Sequence, residues 1–177
     1  LNILEYARKN KIEHIVLAST SSVYGKNTEK PFLEIHKTDE PVSIYAATKK
    51  ATEVLAHCYS DLFGIRVTVL RFFTVYGSWY RPDMALFKFT KNIMQNKQIE
   101  VYNQGLMKRS FTYIDDIVDG VMGAVASPDK FKIYNLGGDK STNLMDFIET
   151  IEKCLGKKAK IKYLPMQLGD VEETVAS

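Results

Sequence analysis

The sequence predicts an α/β fold: part of a doubly wound parallel sheet, followed by a smaller α/β unit. Three observations predict it. Helical and strand patterns alternate through residues 1–77 in the order helix, strand, loop, helix, strand, the rhythm of parallel strands joined by crossover helices. The apolar run Ile15-Val16-Leu17-Ala18 breaks off into Ser19-Thr20-Ser21-Ser22 and then Gly25, a polar strand end of the kind where open α/β sheets hold ligands. From Ser78 the elements shorten, which marks a second unit over residues 78–177.

Leu1 to Asn10 reads as a helix with Leu1, Leu4 and Ala7 on one side and no capping residue ahead of it, so the chain is expected to begin inside an element. His14 to Ala18 is a strand. Lys26 to Pro41 is a polar loop with turn signals at Asn27, Pro31, Asp39 and Pro41, and it is expected to close over a ligand. Ser43 is placed to cap a long helix through Phe63, since alanine-rich sequence free of Gly and Pro runs on to Gly64, a C-terminal stop. Ile65 to Arg71 is a β-branched strand. The inner edge of so small a sheet leaves backbone groups to be covered.

The second unit reads as a helix from about Met84 to Gln95, strands Ile99 to Asn103 and Ser110 to Tyr113, and a helix capped by Asp115 or Asp116 that runs to about Ala126. Strand Lys132 to Leu136, a Gly137-Gly138 turn, helix Leu144 to Leu155, strand Lys160 to Leu164 and a Gly169-Asp170 turn complete it. Both ends are expected to lie within a longer protein.

Tyr45 and Lys49 are four residues apart, so the long helix puts them on one face. A phenol is a weak base at neutral pH. One ammonium at about 4 Å, at an effective dielectric of about 20, favours its ionised form by about 4 kcal/mol, and a helix N-terminus adds up to about 1 kcal/mol. Lys49 could therefore make Tyr45 a general base. A lone Tyr-x-x-x-Lys can equally be a core aromatic beside a solvated lysine; the hydroxyl run upstream is what singles this pair out.

At 177 residues and 45% hydrophobic content, the chain can bury one ordinary core or two small ones. The net charge of +3, from 24 basic and 21 acidic residues without a long single-sign run, points to neither nucleic acid nor an anionic membrane. Lys157-Lys158-Ala159-Lys160 reads as a solvated turn. Cys58 and Cys154 suggest no disulfide framework, and with His14, His36 and His57 they form no metal-ligand spacing, which fits a reducing cytoplasm. No apolar run approaches the roughly 20 residues that span a bilayer.

The hydroxyl run and the Tyr-Lys pair are followed by Leu70-Arg71-Phe72-Phe73-Thr74-Val75-Tyr76-Gly77, Arg81-Pro82-Asp83-Met84-Ala85 and Lys108-Arg109-Ser110-Phe111-Thr112-Tyr113-Ile114-Asp115-Asp116. Together these stretches resemble the extended short-chain dehydrogenase/reductase family, within it the nucleotide-sugar 4-epimerases, and most nearly those that act on UDP-glucuronate. The resemblance implies that residues 1–77 are the later half of a Rossmann-like NAD-binding domain and that 78–177 mainly bind a nucleotide sugar.

It implies NAD-dependent conversion of UDP-glucuronate to UDP-galacturonate: Tyr45 takes the 4-hydroxyl proton, a hydride passes from C4 to the nicotinamide, and the flat 4-keto sugar turns before the hydride returns. Thr20, Ser21 and Ser22 are then donors to the developing oxyanion, with Thr20 at the family's catalytic Ser/Thr position. Lys49 also reaches the nicotinamide ribose, and Phe72 adjoins the cofactor. Thr74, Arg81 and Lys88 are set against the sugar carboxylate, though Lys88 can also be read as surface charge. Arg109 clamps the diphosphate and Asp170 meets the ribose.

Dehydratase relatives carry Thr-Asp-Glu where this chain has Thr20-Ser21-Ser22, which argues against dehydration. Ser110 stands where the family has Asp, which is expected to loosen its loop. No Gly-x-x-Gly-x-x-Gly is present, since the glycines before residue 100 are Gly25, Gly64 and Gly77. A noncatalytic nucleotide-sugar-binding portion is therefore a second reading, and an epimerase of a neutral UDP-sugar a third. The resemblance also implies a homodimer, in which the helix ending near Asn10 and the helix from Ser43 to Phe63 pair with their copies in a four-helix bundle.

Overall fold

A computed structural model describes residues 1–177. In chain order the helices are α1 (Asn2–Lys9), α2 (Ile44–Phe63), α3 (Ala85–Met94), α4 (Ile114–Ala126) and α5 (Leu144–Leu155). The strands are β1 (His14–Thr20), β2 (Arg66–Phe72), β3 (Thr74–Tyr76), β4 (Gln98–Tyr102), β5 (Lys108–Arg109), β6 (Phe111–Tyr113), β7 (Phe131–Leu136), β8 (Thr142–Asn143), β9 (Lys160–Leu164) and β10 (Glu173–Thr174).

β1, β2 and β7 form a parallel sheet in that spatial order, as the alternating pattern predicts. Val67, Thr68, Val69 and Leu70 are all buried, because β2 is the central strand with helices on both faces. On one face Val67 and Val69 pack with Leu4 and Ala7 of α1 and Ala56 of α2. On the other lies α4, where Gly120 allows the helix close to Leu136; a Cβ at that position would stand 2.9 Å from a Leu136 methyl. Side chains buried this way contribute about 1.5–3 kcal/mol each, which fixes the sheet against its helices.

α2 runs as its sequence dictates. Ser43 Oγ accepts from the Ala46 N–H at 3.1 Å, and Gly64 ends the helix in the left-handed region at φ 68°. α1 docks on it through Glu5, which accepts from Arg8 at 2.9 Å and from the Tyr59 hydroxyl at 2.6 Å. Those two bonds, Arg8's first, lower the Glu5 pKa to about 2.

Several expectations are corrected. β1 extends past Ala18 because Ser19 and Thr20 keep their pairing with Arg71 and Phe72. α4 is not capped by Asp115 or Asp116: Tyr113 holds the capping position without a side-chain bond, and both aspartates lie in the first turn, where their charge favours the exposed N–H groups. The loop over residues 26–41 does not close over the sheet's ligand end. Phe32 pins it elsewhere, buried and stacked 4.5 Å from Tyr24, with its backbone bonded to Val175 and Ser177. Gly25, at φ 54°, starts that loop beside the Glu40 carbonyl, where any Cβ would overlap.

The chain also crosses residue 77 in both directions. β7, well past that point, returns to pair with β2, and β3 pairs with β6. The remaining elements build a second core, in which Phe89 and Ile93 of α3, Ile148 and Ile151 of α5, and Ile99 and Val101 of β4 pack together. The parallel pair β4 and β9 forms the sheet of that layer. No helix is long and apolar enough to cross a membrane.

Candidate functional site

The C-terminal ends of β1 and β2 face the second unit across a cleft of about 890 Å³. Its floor is the strand end that the sequence marks out. Thr20 pairs in register with Phe72, and beyond Thr20 the chain tightens into a 3-10 turn over Ser21–Tyr24. The turn is held by Thr20 Oγ1, which accepts from the Ser22 N–H at 3.2 Å. Thr20, Ser21 and Ser22 all line the cleft, together with Phe72 and Thr74.

α2 supplies the opposite wall. Tyr45 lines the cleft with 55% of its surface exposed. Lys49, one helical turn on, also lines it, and its Nζ donates to the Ala18 carbonyl at 2.9 Å. That nitrogen stands 6.0 Å from the centre of the Tyr45 ring. The base candidate, its cation and the hydroxyl donors therefore share one cavity.

The second unit brings Arg109 and Asp170 to the same cleft. Arg109 Nη2 donates to Asp170 Oδ1 at 2.7 Å, and Nη1 donates to the carbonyls of Lys108 at 2.8 Å and Glu172 at 3.1 Å. Burial lowers the Arg109 pKa against the pull of Asp170. Its guanidinium stays charged, so it is a desolvated cation with one carboxylate beside it. Asp170 lines the cleft while its Oδ1 accepts from Arg109 and from the Val171 N–H at 2.9 Å.

Arg81 reaches the rim, but its guanidinium forms a two-point pair with Asp83 at 2.9 and 2.7 Å, and those bonds raise its pKa. Lys88 is exposed on α3 and is not among the cleft-lining residues. It is the one predicted site residue that does not line the cleft; its neighbour Phe89 turns into the second core. Ser110 does not loosen its loop: fully buried, it donates through Oγ to the Gly138 carbonyl at 2.6 Å and through its N–H to the Thr174 carbonyl at 2.9 Å.

The three histidines have structural partners. His14 meets the Thr68 hydroxyl at 2.9 Å, His36 meets Glu29 at 3.2 Å, and His57 packs edge-on to Phe131.

Sequence reasoning missed two sets of residues. Tyr76, Trp79, Tyr80 and Met84 give the cleft an apolar and aromatic rim; the aromatic pair directly ahead of Arg81 was the available signal. The other set lies beneath the floor. Arg71 is 2% exposed and Glu53 3% exposed, and they form a two-point ion pair at 3.0 and 2.8 Å. Ser19 Oγ donates to the same carboxylate at 2.5 Å. Arg71 Nη1 donates to the Tyr24 hydroxyl at 3.0 Å, which donates to Asn135 Oδ1 at 2.7 Å. Burial works to lower the Arg71 pKa, but the Glu53 hydrogen bonds together with Tyr24 and the Glu53 charge outweigh it and the net shift is upward. Burial also raises the Tyr24 pKa, which keeps that phenol a donor. A charged residue inside an otherwise apolar β-branched strand was the signal for this network.

Comparison with known proteins adds the following. Residues 1–137 match the NAD dependent epimerase/dehydratase family. An uncharacterized protein of Methanocaldococcus jannaschii is 56% identical over 176 residues, covering 99% of this chain and 54% of that protein. A probable UDP-glucuronate 4-epimerase of Rhizobium meliloti is 45% identical over 195 residues, covering 99% of this chain and 57% of its own length. The chain thus spans little more than half the length of these relatives. Among solved structures, the UDP-glucuronic acid 4-epimerase of Bacillus cereus in complex with UDP-glucuronic acid and NAD superposes with a TM-score of 0.91 at 33% identity, covering 99% of this chain and 56% of that one.

Proposed function

This chain belongs to the NAD-dependent epimerase/dehydratase family, and from that premise we propose that a full-length protein carrying it inverts C4 of a nucleotide sugar, converting UDP-glucuronate to UDP-galacturonate. One observation carries the reading: Tyr45, Lys49, the Thr20-Ser21-Ser22 hydroxyls and Arg109 line a single cleft at the C-terminal end of a parallel sheet.

The residues present fit the nicotinamide and ribose end of NAD. An ammonium has three donors, and Lys49 gives one to the Ala18 carbonyl, which leaves others for ribose hydroxyls. Phe72 offers an apolar surface beside it. Bound NAD would supply the two-electron redox chemistry at C4.

The chain's own groups do the rest. Tyr45, with the Lys49 ammonium 6.0 Å from its ring centre, takes the 4-hydroxyl proton and later returns it to the same oxygen. Thr20, Ser21 and Ser22 offer hydroxyls to the oxygen while it carries charge. Arg109, desolvated and held by a single carboxylate, favours a further anion, and the diphosphate of a nucleotide sugar is one. At about 890 Å³ the cleft is large enough for a planar keto-sugar to turn about its diphosphate. The Thr74 hydroxyl, and the Arg81 guanidinium once it leaves Asp83, would hold a C5 carboxylate.

Incubating the full-length protein with UDP-glucuronate and with UDP-glucose, and separating the products by anion-exchange chromatography, tests the reading. The uronate is expected to reach an epimer mixture from either side without added reductant. Turnover of the neutral sugar alone would move the substrate to an uncharged hexose. Binding without turnover of either would leave a noncatalytic nucleotide-sugar binder.

Homodimerisation through α1 and α2 belongs to the same proposal. Leu1 at the cap of α1, Ile3 and Tyr6 of α1, and Val54, Leu55 and Leu62 of α2 are all exposed, an apolar surface of the kind that copies of a chain bury. Light scattering on the full-length protein is expected to give twice the chain mass; a monomer mass would remove the dimer.

A further inference from the structure

Tyr45, Lys49 and Glu53 recur at four-residue spacing on α2, so they form one stripe along its length. Two of the three are bonded to successive residues of β1. Lys49 Nζ takes the Ala18 carbonyl at 2.9 Å, and Glu53 takes the Ser19 hydroxyl at 2.5 Å. The next residue of β1 is Thr20, on the cleft floor.

The partners of Glu53 lie on one rung of the sheet. Ser19 pairs in register with Arg71, and Arg71 with Asn135, across β1, β2 and β7. Arg71 grips Glu53 at two points and reaches Asn135 through Tyr24. The rung directly above is Thr20 and Phe72, the floor of the cleft. A polar rung tied to all three strands thus lies under the cleft floor and joins it to the helix that carries Tyr45 and Lys49.

We propose that Glu53, held by Arg71 and Ser19, is a positioning residue for the reaction: it sets the height and rotation of α2 so that Lys49 meets the Ala18 carbonyl and Tyr45 stands in the same cleft as Thr20. It touches neither substrate nor cofactor. The inference rests on the epimerase reading of the cleft and names what holds that site in register. Misplacement of a reacting group by about 1 Å can cost roughly a hundredfold in rate, so a lost tether acts on turnover before it acts on binding.

The test uses Ser19→Ala in the full-length protein, which removes one tether and leaves the Arg71–Glu53 pair in place, with Glu53→Gln as the stronger variant. Ser19→Ala is expected to lower kcat by roughly ten- to one-hundredfold at nearly unchanged KM for the nucleotide sugar, and Ser19→Thr, which restores a hydroxyl, is expected to recover most of it. The crystal structure of Ser19→Ala is expected to show Lys49 Nζ withdrawn from the Ala18 carbonyl. Folded Ser19→Ala and Glu53→Gln proteins that keep the parent kcat would overturn the proposal, as would a kcat loss with Lys49 unmoved. If the parent protein turns over no nucleotide sugar, the epimerase reading fails by itself, and the position of Lys49 in the Ser19→Ala crystal then decides for or against the tether.

Discussion

Tyr45→Phe in the full-length protein is expected to reduce kcat for C4 epimerisation by about 10²–10⁴-fold, the range for losing a positioned general base, while the nucleotide sugar still binds. The substitution removes one oxygen and leaves the ring, which stands 6.0 Å from the Lys49 ammonium. Tyr24 is not free to stand in: it is buried, its pKa is raised by burial, and its hydroxyl is committed to Asn135 and Arg71. Arg109 and the rest of the cleft wall are untouched, so the binding that they provide persists. Steady-state kinetics with UDP-glucuronate, beside calorimetric binding of UDP-glucuronate, separate the two effects. Turnover surviving at more than about a tenth of the parent rate would remove Tyr45 as the base.

Much of this site is legible in the chain because its signals are local. Ser43, the alanine-rich run and Gly64 specify α2 through capping and propensity, and helical spacing then puts Tyr45 and Lys49 on one face. The break from Ile15-Val16-Leu17-Ala18 into hydroxyls marks a strand end, although pairing with Arg71 and Phe72 carries the strand two residues further. What escapes a sequence reading depends on contacts between distant segments. Phe32 pins the loop that looks free to close, through bonds to Val175 and Ser177. Asp115 and Asp116 suit a cap by residue type, yet the chain enters α4 directly from β6, which leaves Tyr113 at the cap. Ser110 is a departure from a motif until the Gly138 carbonyl is placed beside it. Lys88 reads as either a carboxylate ligand or a surface charge, and only the folded chain puts it at an exposed position outside the cleft lining.

Arg71→Met is expected to destabilise the protein by about 3–5 kcal/mol, the cost of leaving a buried charge without its partner. Glu53 would keep only the Ser19 hydroxyl, and the Tyr24 hydroxyl and the Glu34 carbonyl would each lose the donor that Arg71 gives them. Against a total of about 5–15 kcal/mol for a typical domain, that loss is large. Urea unfolding of the full-length protein measures it, and a loss below about 1 kcal/mol would mean that water or a neighbouring group compensates Glu53. The double variant Arg71→Met with Glu53→Met removes both charges together, and apolar replacement of a buried pair is often neutral or favourable. Its stability is therefore expected to recover most of what the single variant loses. Its turnover is expected to stay low, because two methionines pack without direction and cannot tie α2 to the Ser19 rung. A double variant that recovers both would make the pair a packing solution that hydrocarbon can replace. One that recovers stability alone would mean that this charge pair is kept for the geometry it imposes on Tyr45 and Lys49, at a site where apolar side chains would hold the fold equally well.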